Sequence, residues 1–202
     1  MQMELEYYLE KEACEVGFSA VCGVDEAGRG PLAGNVVAAA VILPQGLVIE
    51  GLNDSKKLSE KKREALFDVI KKEAAAYSIA WATPAEIDEH NILGATMIAM
   101  NRAVEGLPVK ADFALIDGNC ARGFEIPTQT VVKGDAKSPS IAAASILAKV
   151  TRDRQCMELD ALYPEYGFAK HKGYPTKDHM QKVRELGPCP EHRKTFLKFL
   201  DK

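Results

Sequence analysis

Five short apolar runs, separated by turns and amphipathic segments, restrict this chain to folds that are built on a β-sheet. The runs are rich in Val, Ala, Ile or Thr and are bounded by glycine, proline or polar residues, which is the pattern of short strands. They are Ala20–Val24, Asn35–Leu43, Tyr77–Ala82, Phe113–Ile116 and Thr128–Val132. Because helical patterns lie between and after them, the sequence predicts an α/β or α+β sheet with helices on its faces, and it leaves the strand order open.

The helical patterns often begin at a recognisable cap. Ser59 precedes a helix with one apolar face, Thr83-Pro84-Ala85-Glu86 is a capping box, and Ser138-Pro139 opens a long helix of very small residues. Such a helix can approach a sheet closely. Further helical patterns cover an N-terminal set (Leu5, Tyr8, Leu9 and Ala13), a second stretch at 92–105, and the segment after Thr176 up to a break at Gly187-Pro188.

The composition is that of one ordinary globular domain. With 202 residues, 47% hydrophobic and 27% charged, and with no repeat or linker, the chain is predicted to form a single domain over 1–202, of which roughly 170–202 is a helical C-terminal extension. It has no apolar stretch of membrane-spanning length and no secretory signal, so we expect a cytoplasmic protein without a membrane partner. No heptad seam is present, and a monomer is expected.

Charge and cysteine usage exclude little but weigh against a structural zinc site. The net charge of −3 does not indicate nucleic acid, yet residues 168–194 hold seven Lys/Arg against three acidic residues, so a local basic surface is compatible with an acidic whole. The five cysteines are widely spaced and form no Cys-x-x-Cys pair, which disfavours a zinc ribbon or a redox pair. We expect reduced thiols.

Acidic residues follow three of the predicted strands, each with a glycine nearby. Asp25 and Glu26 come directly after the first run, Asp117 follows the fourth, and Asp135 follows the fifth through Lys133-Gly134. A lone Asp-Glu pair is most simply a solvated turn, but ligand sites in open α/β sheets gather beyond the carboxyl ends of strands. If these ends meet, the carboxylates repel one another unless protons or cations intervene, and Mg²⁺ or Mn²⁺ suits such oxygen ligands. The set therefore indicates two-metal phosphodiester hydrolysis.

Two other functions fit parts of the sequence. The loop Gly28-Arg29-Gly30-Pro31-Leu32-Ala33 matches the dinucleotide-binding pattern, with Asp54 near the expected acidic position. That pattern must open a helix, whereas the strand-like run Asn35–Leu43 follows here, which disfavours a nucleotide-cofactor oxidoreductase. A non-catalytic nucleic-acid-binding module is the second alternative, and the intact set of four acids weighs against it because carboxylates near phosphate weaken binding unless cations bridge them.

A series of motifs, in order, resembles the ribonuclease HII family over roughly residues 20–195. The matching blocks are Gly23-Val24-Asp25-Glu26-Ala27-Gly28-Arg29-Gly30-Pro31-Leu32-Ala33-Gly34, Asn53-Asp54-Ser55-Lys56-Lys57-Leu58, Ile116-Asp117-Gly118, Lys133-Gly134-Asp135-Ala136-Lys137-Ser138, the segment 142–153 and His171-Lys172-Gly173-Tyr174. The resemblance implies an RNase H-like fold, with a five-stranded mixed sheet flanked by helices and helical C-terminal elements. It also implies an endonuclease that cuts the RNA strand of RNA/DNA hybrids and nicks 5′ of ribonucleotides embedded in duplex DNA, leaving 3′-hydroxyl and 5′-phosphate ends.

The resemblance further implies a role for individual residues. Asp25, Glu26, Asp117 and Asp135 would be the catalytic and metal-binding quartet for two Mg²⁺ or Mn²⁺ ions. Gly28-Arg29-Gly30 would read the ribose 2′-hydroxyl through the backbone, the one group that distinguishes RNA from DNA at a given position. Tyr174 would stack on the deoxyribose that follows the ribonucleotide. Phosphate contacts are implied for Asn53, Lys56 and Lys149. One departure is Asn35, where the family commonly has proline, and we expect at most a change in local rigidity.

Some other polar and large residues are expected to be ordinary parts of the fold. We expect His171 and His192 to lie at the surface or to contact phosphate, and Asp153 to form a helical ion pair with neighbouring arginines. Trp81, Met97 and Met100 are expected in the core.

Overall fold

The computed structural model of the protein describes residues 6–201. Leu5 and both ends of the predicted 1–202 domain lie outside the described residues. Within them, five strands form one sheet. They are β1 (Val21–Ala27), β2 (Val36–Ile42), β3 (Ala76–Ala82), β4 (Phe113–Asp117) and β5 (Thr128–Val131). The five predicted strands are therefore confirmed, each with boundaries shifted by at most three residues.

The sheet is mixed, and its strand order is β3-β2-β1-β4-β5. β2 runs antiparallel to both β1 and β3, while β1, β4 and β5 are parallel to one another. Every residue of β2 is buried, as expected for an apolar run that is covered on both faces. The order places β1 and β4 side by side, so that the acidic residues at their ends become neighbours.

Helices pack on both faces of the sheet, and two further helices follow in the C-terminal part of the chain. In chain order the helices are α1 (Tyr8–Glu15), α2 (Glu60–Glu73), α3 (Pro84–Glu105), α4 (Pro139–Leu162), α5 (Phe168–His171) and α6 (Lys177–Leu186). One apolar cluster packs α3 against the sheet, and another packs α2 and α4 against the opposite face. The RNase H-like arrangement that the resemblance implied, a five-stranded mixed sheet flanked by helices, is confirmed.

The predicted caps are present. The side chains of Ser59, Thr83 and Ser138 each accept a backbone N–H of the first helical turn that follows, and Thr176, which was not predicted as a cap, does the same for α6. The capping box at Thr83 is complete, because the Glu86 side chain accepts the Thr83 N–H. Within α3 the backbone breaks at Asn91, whose φ is 57°, and the Asn91 side chain accepts the N–H groups of Leu93 and Gly94. The separate helical stretch predicted to begin near 92 is thus the second half of a kinked helix.

Helix α4 lies unusually close to β1, as its small residues predicted. A Cβ on Gly23 would stand 2.2 Å from the backbone nitrogen of Ile141, so only glycine fits at this crossing. The helix is almost wholly buried along its first half, and Ala142, Ala143 and Ala144 are fully buried. This close packing fixes the position of the N-terminal half of α4 behind the ends of β1 and β4.

The C-terminal elements form a small cluster of their own beside the loop that joins β1 to β2. Leu32 and Ala33 from that loop pack with Phe168, Val183 and their neighbours. His171 and His192 are buried in this region, with 8% and 2% exposure, so the surface placement predicted for them is wrong. Met97 and Met100 are core residues as predicted, but Trp81 is not, because it lies 45% exposed on the edge strand β3.

No helix in the part of the chain that the structure describes is both long and apolar enough to cross a membrane.

Candidate active site

Asp25 and Glu26 lie within the last three residues of β1 rather than beyond its end. The strand continues to Ala27 because its pairing with β2 extends to Ala27 and Val37. Asp25 is 4% exposed, and its Oδ1 accepts the N–H of Glu26 at 2.7 Å. The Glu26 side chain is partly buried and forms an ion pair with Arg29 at 3.4 Å. Both carboxylates are therefore held at the edge of the core.

Asp117 and Asp135 are brought to the same end of the sheet. The register pairs Val24 with Ile116, which places Asp25 and Asp117 at the next position of two neighbouring parallel strands. Asp117 Oδ1 accepts the N–H of Gly134 at 2.6 Å, and this bond anchors the turn in which Asp135 stands. Asp135 is 5% exposed. Three strand ends thus deliver the four predicted acids to one region, as the spacing suggested.

The acids perturb one another electrostatically. Burial, followed by repulsion from Glu26 and Asp117, raises the pKa of Asp25 well above its usual value. Burial also raises the pKa of Glu26, where repulsion from Asp117 is countered by the attraction of Arg29. Carboxylates that resist ionisation in this way favour a proton or a cation between them. Strongly perturbed acids in a cleft are a common property of catalytic sites.

A fifth carboxylate, Asp54, belongs to this environment, although it was not among the four acids predicted from the sequence. Burial and repulsion from Asp54 and Asp117 raise the pKa of Asp135. Lys56 Nζ lies 3.8 Å from Asp135 Oδ2. Burial alone would lower the pKa of Lys56, but attraction by Asp135 and the other acids raises it. In the sequence, Asp54 was marked only by its place in a motif block of the family resemblance and by the acidic position of the disfavoured dinucleotide-binding pattern.

The four carboxylates are suitable ligands for a divalent cation, although their side chains do not yet converge on one position. Among the described residues, no three His, Cys, Asp or Glu side chains are arranged to hold a metal ion as they stand. The four carboxylates nevertheless supply the hard oxygen donors that Mg²⁺ and Mn²⁺ prefer, and their mutual repulsion is what a cation would relieve. The residues present therefore fit such an ion, provided that the carboxylates turn toward it.

A groove of about 220 Å³ opens beside Glu26. Its wall contains the glycine loop, residues 28–31, and the ring of Tyr174. A Cβ on Gly30 would stand 3.3 Å from the Tyr174 ring, so the ring lies next to the loop and leaves little room for a side chain at this position. At Gly28, whose φ is 93°, a Cβ would stand 2.7 Å from Arg152 Nε. The loop leads into β2 and not into a helix, so the dinucleotide-binding alternative is excluded.

Two buried arginines, which the sequence analysis did not select, hold this loop in shape. Arg193 is fully buried and donates hydrogen bonds to five main-chain carbonyls of the loop, those of Gly28, Arg29, Pro31, Gly34 and Asn35. Arg152 donates to the carbonyls of Ala33, Asn35 and Lys172 and so joins the loop to the segment before Tyr174. The sequence gave no sign that either arginine holds the loop, because both lie far from it along the chain.

The remaining predicted contact residues lie near the groove, with their side chains already engaged. Lys149 lines the groove and pairs with Asp153 at 2.7 Å. Asp153 is an ion-pair residue as expected, but its partners are Lys149 and Arg63 rather than neighbouring arginines. The Asn53 side chain accepts the N–H of Asp54. Asn35, at the position where proline was expected, donates to Gln155 on α4.

Solved structures with this fold identify the general class. Ribonuclease H2 from Pyrococcus horikoshii OT3 superimposes with a TM-score of 0.75 at 29% identity, and the match covers 91% of this chain and 97% of that one. The ribonuclease HII in the PCNA complex from Archaeoglobus fulgidus gives a TM-score of 0.69 at 25% identity, over 88% and 94% of the two chains. The fold is thus that of the RNase H-like nucleases.

Sequence relatives narrow the class to one family. The family model for Ribonuclease HII matches residues 22–200. A curated Ribonuclease HII from Shewanella pealeana (strain ATCC 700345 / ANG-SQ1) is 60% identical over 174 residues, which is 86% of each chain. The chain belongs to the ribonuclease HII family. It is accordingly an endoribonuclease, a hydrolase.

Proposed function

We propose that this enzyme hydrolyses the RNA strand of RNA/DNA hybrids and nicks duplex DNA 5′ of an embedded ribonucleotide, leaving 3′-hydroxyl and 5′-phosphate ends. The observation that carries the proposal is a cluster of four acids, three of them with raised pKa values, one of which, Glu26, lines a groove walled by the glycine loop and Tyr174. The acids supply a site for phosphate chemistry, and the wall supplies a place to recognise the sugar.

Asp25, Glu26, Asp117 and Asp135 are proposed to hold two Mg²⁺ or Mn²⁺ ions. When bound, these ions would supply Lewis acidity at the scissile phosphate and offset its negative charge. The chain's own contribution is to hold the carboxylates in place. Asp25 and Asp117 are fixed by bonds from the N–H groups of Glu26 and Gly134, so each has one oxygen anchored before any ligand arrives.

The glycine loop is proposed to recognise the ribose 2′-hydroxyl through main-chain groups of Gly28, Arg29 and Gly30. A hydroxyl can approach the backbone closely there because glycine carries no side chain. Tyr174 is 46% exposed and stands beside Gly30, so its ring is open to stack on the next sugar. Together the two elements would select an RNA–DNA junction and not a uniform strand.

Basic side chains around the groove are proposed to position the phosphate backbone without reading sequence. Lys56 is the best placed, since its side chain is 81% exposed and it already lies against Asp135. Lys149 would exchange its bond to Asp153 for a phosphate, and Asn53 would contribute from the turn beside Asp54. The chain is proposed to act as a monomeric catalytic domain, with residues from about 170 onward supporting the groove wall.

The experiment that tests this function compares the wild type with Asp117→Asn on a labelled RNA/DNA hybrid in Mg²⁺. The variant should bind the hybrid but cut it at least about a hundredfold more slowly, because it loses a charged ligand that faces the phosphate. An exposed change, Asp201→Asn, is the matched control and should cut normally. Undiminished cleavage by Asp117→Asn would contradict the assignment of the acids.

A further inference from the structure

Three buried histidines cluster behind the backbone of Tyr174. His179 is fully buried, and His171 and His192 are 8% and 2% exposed. The rings of His171 and His179 are nearly parallel, with centroids 4.1 Å apart. His179 Nε2 and His192 Nε2 stand 3.1 Å apart, which is hydrogen-bond distance. None of these imidazoles belongs to the acidic site, and the proposed chemistry does not use them.

The hydrogen-bond partners at the two ends of the His179–His192 pair determine which ring nitrogens carry protons. The Tyr174 carbonyl can only accept, so His179 Nδ1, which is 2.9 Å away, must be the donor. At the other end the backbone N–H of Cys189 donates to His192 Nδ1 at 3.1 Å. His192 therefore carries its proton on Nε2 and donates it to His179 Nε2. Both imidazoles are neutral, and the chain of bonds runs in one direction, from Cys189 through His192 and His179 to Tyr174.

The chain ends on the segment that forms the groove wall. The N–H of Gly173 donates to His171 Nδ1 at 3.1 Å, and the Gly173 carbonyl accepts the N–H of Leu32 from the glycine loop at 2.8 Å. The Tyr174 carbonyl is shared between His179 and the N–H of Thr176. The backbone on both sides of the Tyr174 side chain is thus tied to the three histidines, while its ring stands beside Gly30.

We propose that His179 and His192 are positioning residues for cleavage, and that their neutral hydrogen-bonded pair fixes the backbone of Tyr174 so that its ring stands at the glycine loop. The inference rests on the proposed function of Tyr174 as the residue that stacks on the substrate sugar. The two histidines touch neither substrate nor phosphate, and they act only through Tyr174.

Protonation would break this arrangement. An added proton on His179 Nε2 would face the N–H of His192, and one on His192 Nδ1 would face the N–H of Cys189, with only the Cys189 Sγ, 3.1 Å away, to accept it. The titratable groups that face the pair are His171 on α5, Asp178 on α6, Tyr166 and Cys189. Burial, followed by the neighbouring His179, lowers the pKa of His192 to about 4, and burial also lowers the pKa of His179. The pair therefore stays neutral at neutral pH and fails only in acid.

A double-mutant cycle tests whether the histidines act through Tyr174. His179→Leu should lower kcat/KM at a single embedded ribonucleotide about fivefold, the factor that corresponds to one net hydrogen bond. His179→Asn, whose amide can still donate at the Nδ1 position, should recover most of that loss. In a Tyr174→Ala background the same His179→Leu change should have no further effect. The exposed His90→Gln is the matched control.

The outcomes separate this inference from the function on which it rests. If His179→Leu lowers kcat/KM equally in the wild-type and Tyr174→Ala backgrounds, the positioning role is overturned. If the wild type does not cut, the proposed function is overturned instead. A measurement on the wild type covers the case in which the variants do not fold. Nitrogen-15 NMR at pH 7 should find His179 protonated on Nδ1 and His192 on Nε2, and any other pair of tautomers would contradict the hydrogen-bond chain.

Discussion

Replacing Arg193 by methionine should destabilise the protein strongly, because this side chain bonds five main-chain carbonyls of the glycine loop, more than any other residue that the structure describes. Its guanidinium is fully buried and donates five hydrogen bonds, between 2.6 and 3.2 Å, to main-chain carbonyls. Burial and the nearby Arg152 lower the pKa of Arg193 to about 9, which still leaves the group charged at neutral pH. Methionine would keep much of the apolar stem but none of the donors.

The magnitude follows from the bonds. A net intramolecular hydrogen bond contributes about 1 kcal/mol, and more when the donor is charged, so losing five should cost about 3–5 kcal/mol after some of the carbonyls find water. That is a large part of the roughly 5–15 kcal/mol that stabilises a typical domain. Arg193→Lys keeps the charge and at most three donors, so it should cost about 2 kcal/mol.

Equilibrium urea unfolding, followed by circular dichroism, measures the effect. Arg122→Met, at an exposed position, is the matched control and should change the free energy of unfolding by less than about 0.5 kcal/mol. The ranking wild type, Arg193→Lys, Arg193→Met is the expected result. A cost below about 1 kcal/mol for Arg193→Met would refute the view that these bonds stabilise the loop.

Three further predictions concern the acids and the groove wall. In EDTA at neutral pH, Asp25→Asn should raise the free energy of unfolding by about 1 kcal/mol. The raised pKa of Asp25 means that the protonated carboxyl stabilises the fold in acid, and that this stabilisation is lost as pH rises through the folded-state pKa. A loss of stability in urea titration would argue against this repulsion. Excess Mg²⁺ should raise the melting temperature of the wild type but not that of Asp117→Asn, and equal shifts in calorimetry would speak against the acids as ligands. Tyr174→Ala should lower cleavage at a single ribonucleotide more than binding of plain duplex DNA, and equal losses in the two assays would remove its junction-reading role.

Much of the fold could be predicted from local sequence because its signals are local. The strands show as short apolar runs, and Ser59, Thr83 and Ser138 are caps that act within one helical turn. The strand order could not be derived in this way, since it depends on contacts between distant segments. The end of β1 was placed too early for the same reason, because its extension to Ala27 comes from pairing with β2.

The candidate site divides along similar lines. Asp25, Asp117 and Asp135 could be selected because each follows an apolar run, and parallel neighbours bring such ends together. Arg193 and the three buried histidines could not, because polar residues in a basic segment resemble surface residues until their partners are known. Their partners are main-chain carbonyls and other imidazoles, some of them more than 150 residues away, and composition carries no trace of such contacts.

Metal-dependent cleavage at a ribonucleotide is tested directly by a nicking assay. A labelled DNA duplex with a single embedded ribonucleotide is incubated with the protein in Mg²⁺, in Mn²⁺ and in EDTA, beside an all-DNA duplex. The account predicts a nick immediately 5′ of the ribonucleotide, with 3′-hydroxyl and 5′-phosphate ends, in at least one metal and none in EDTA or in the all-DNA duplex. Binding without a nick in either metal, or equal cutting of the all-DNA duplex, would contradict it.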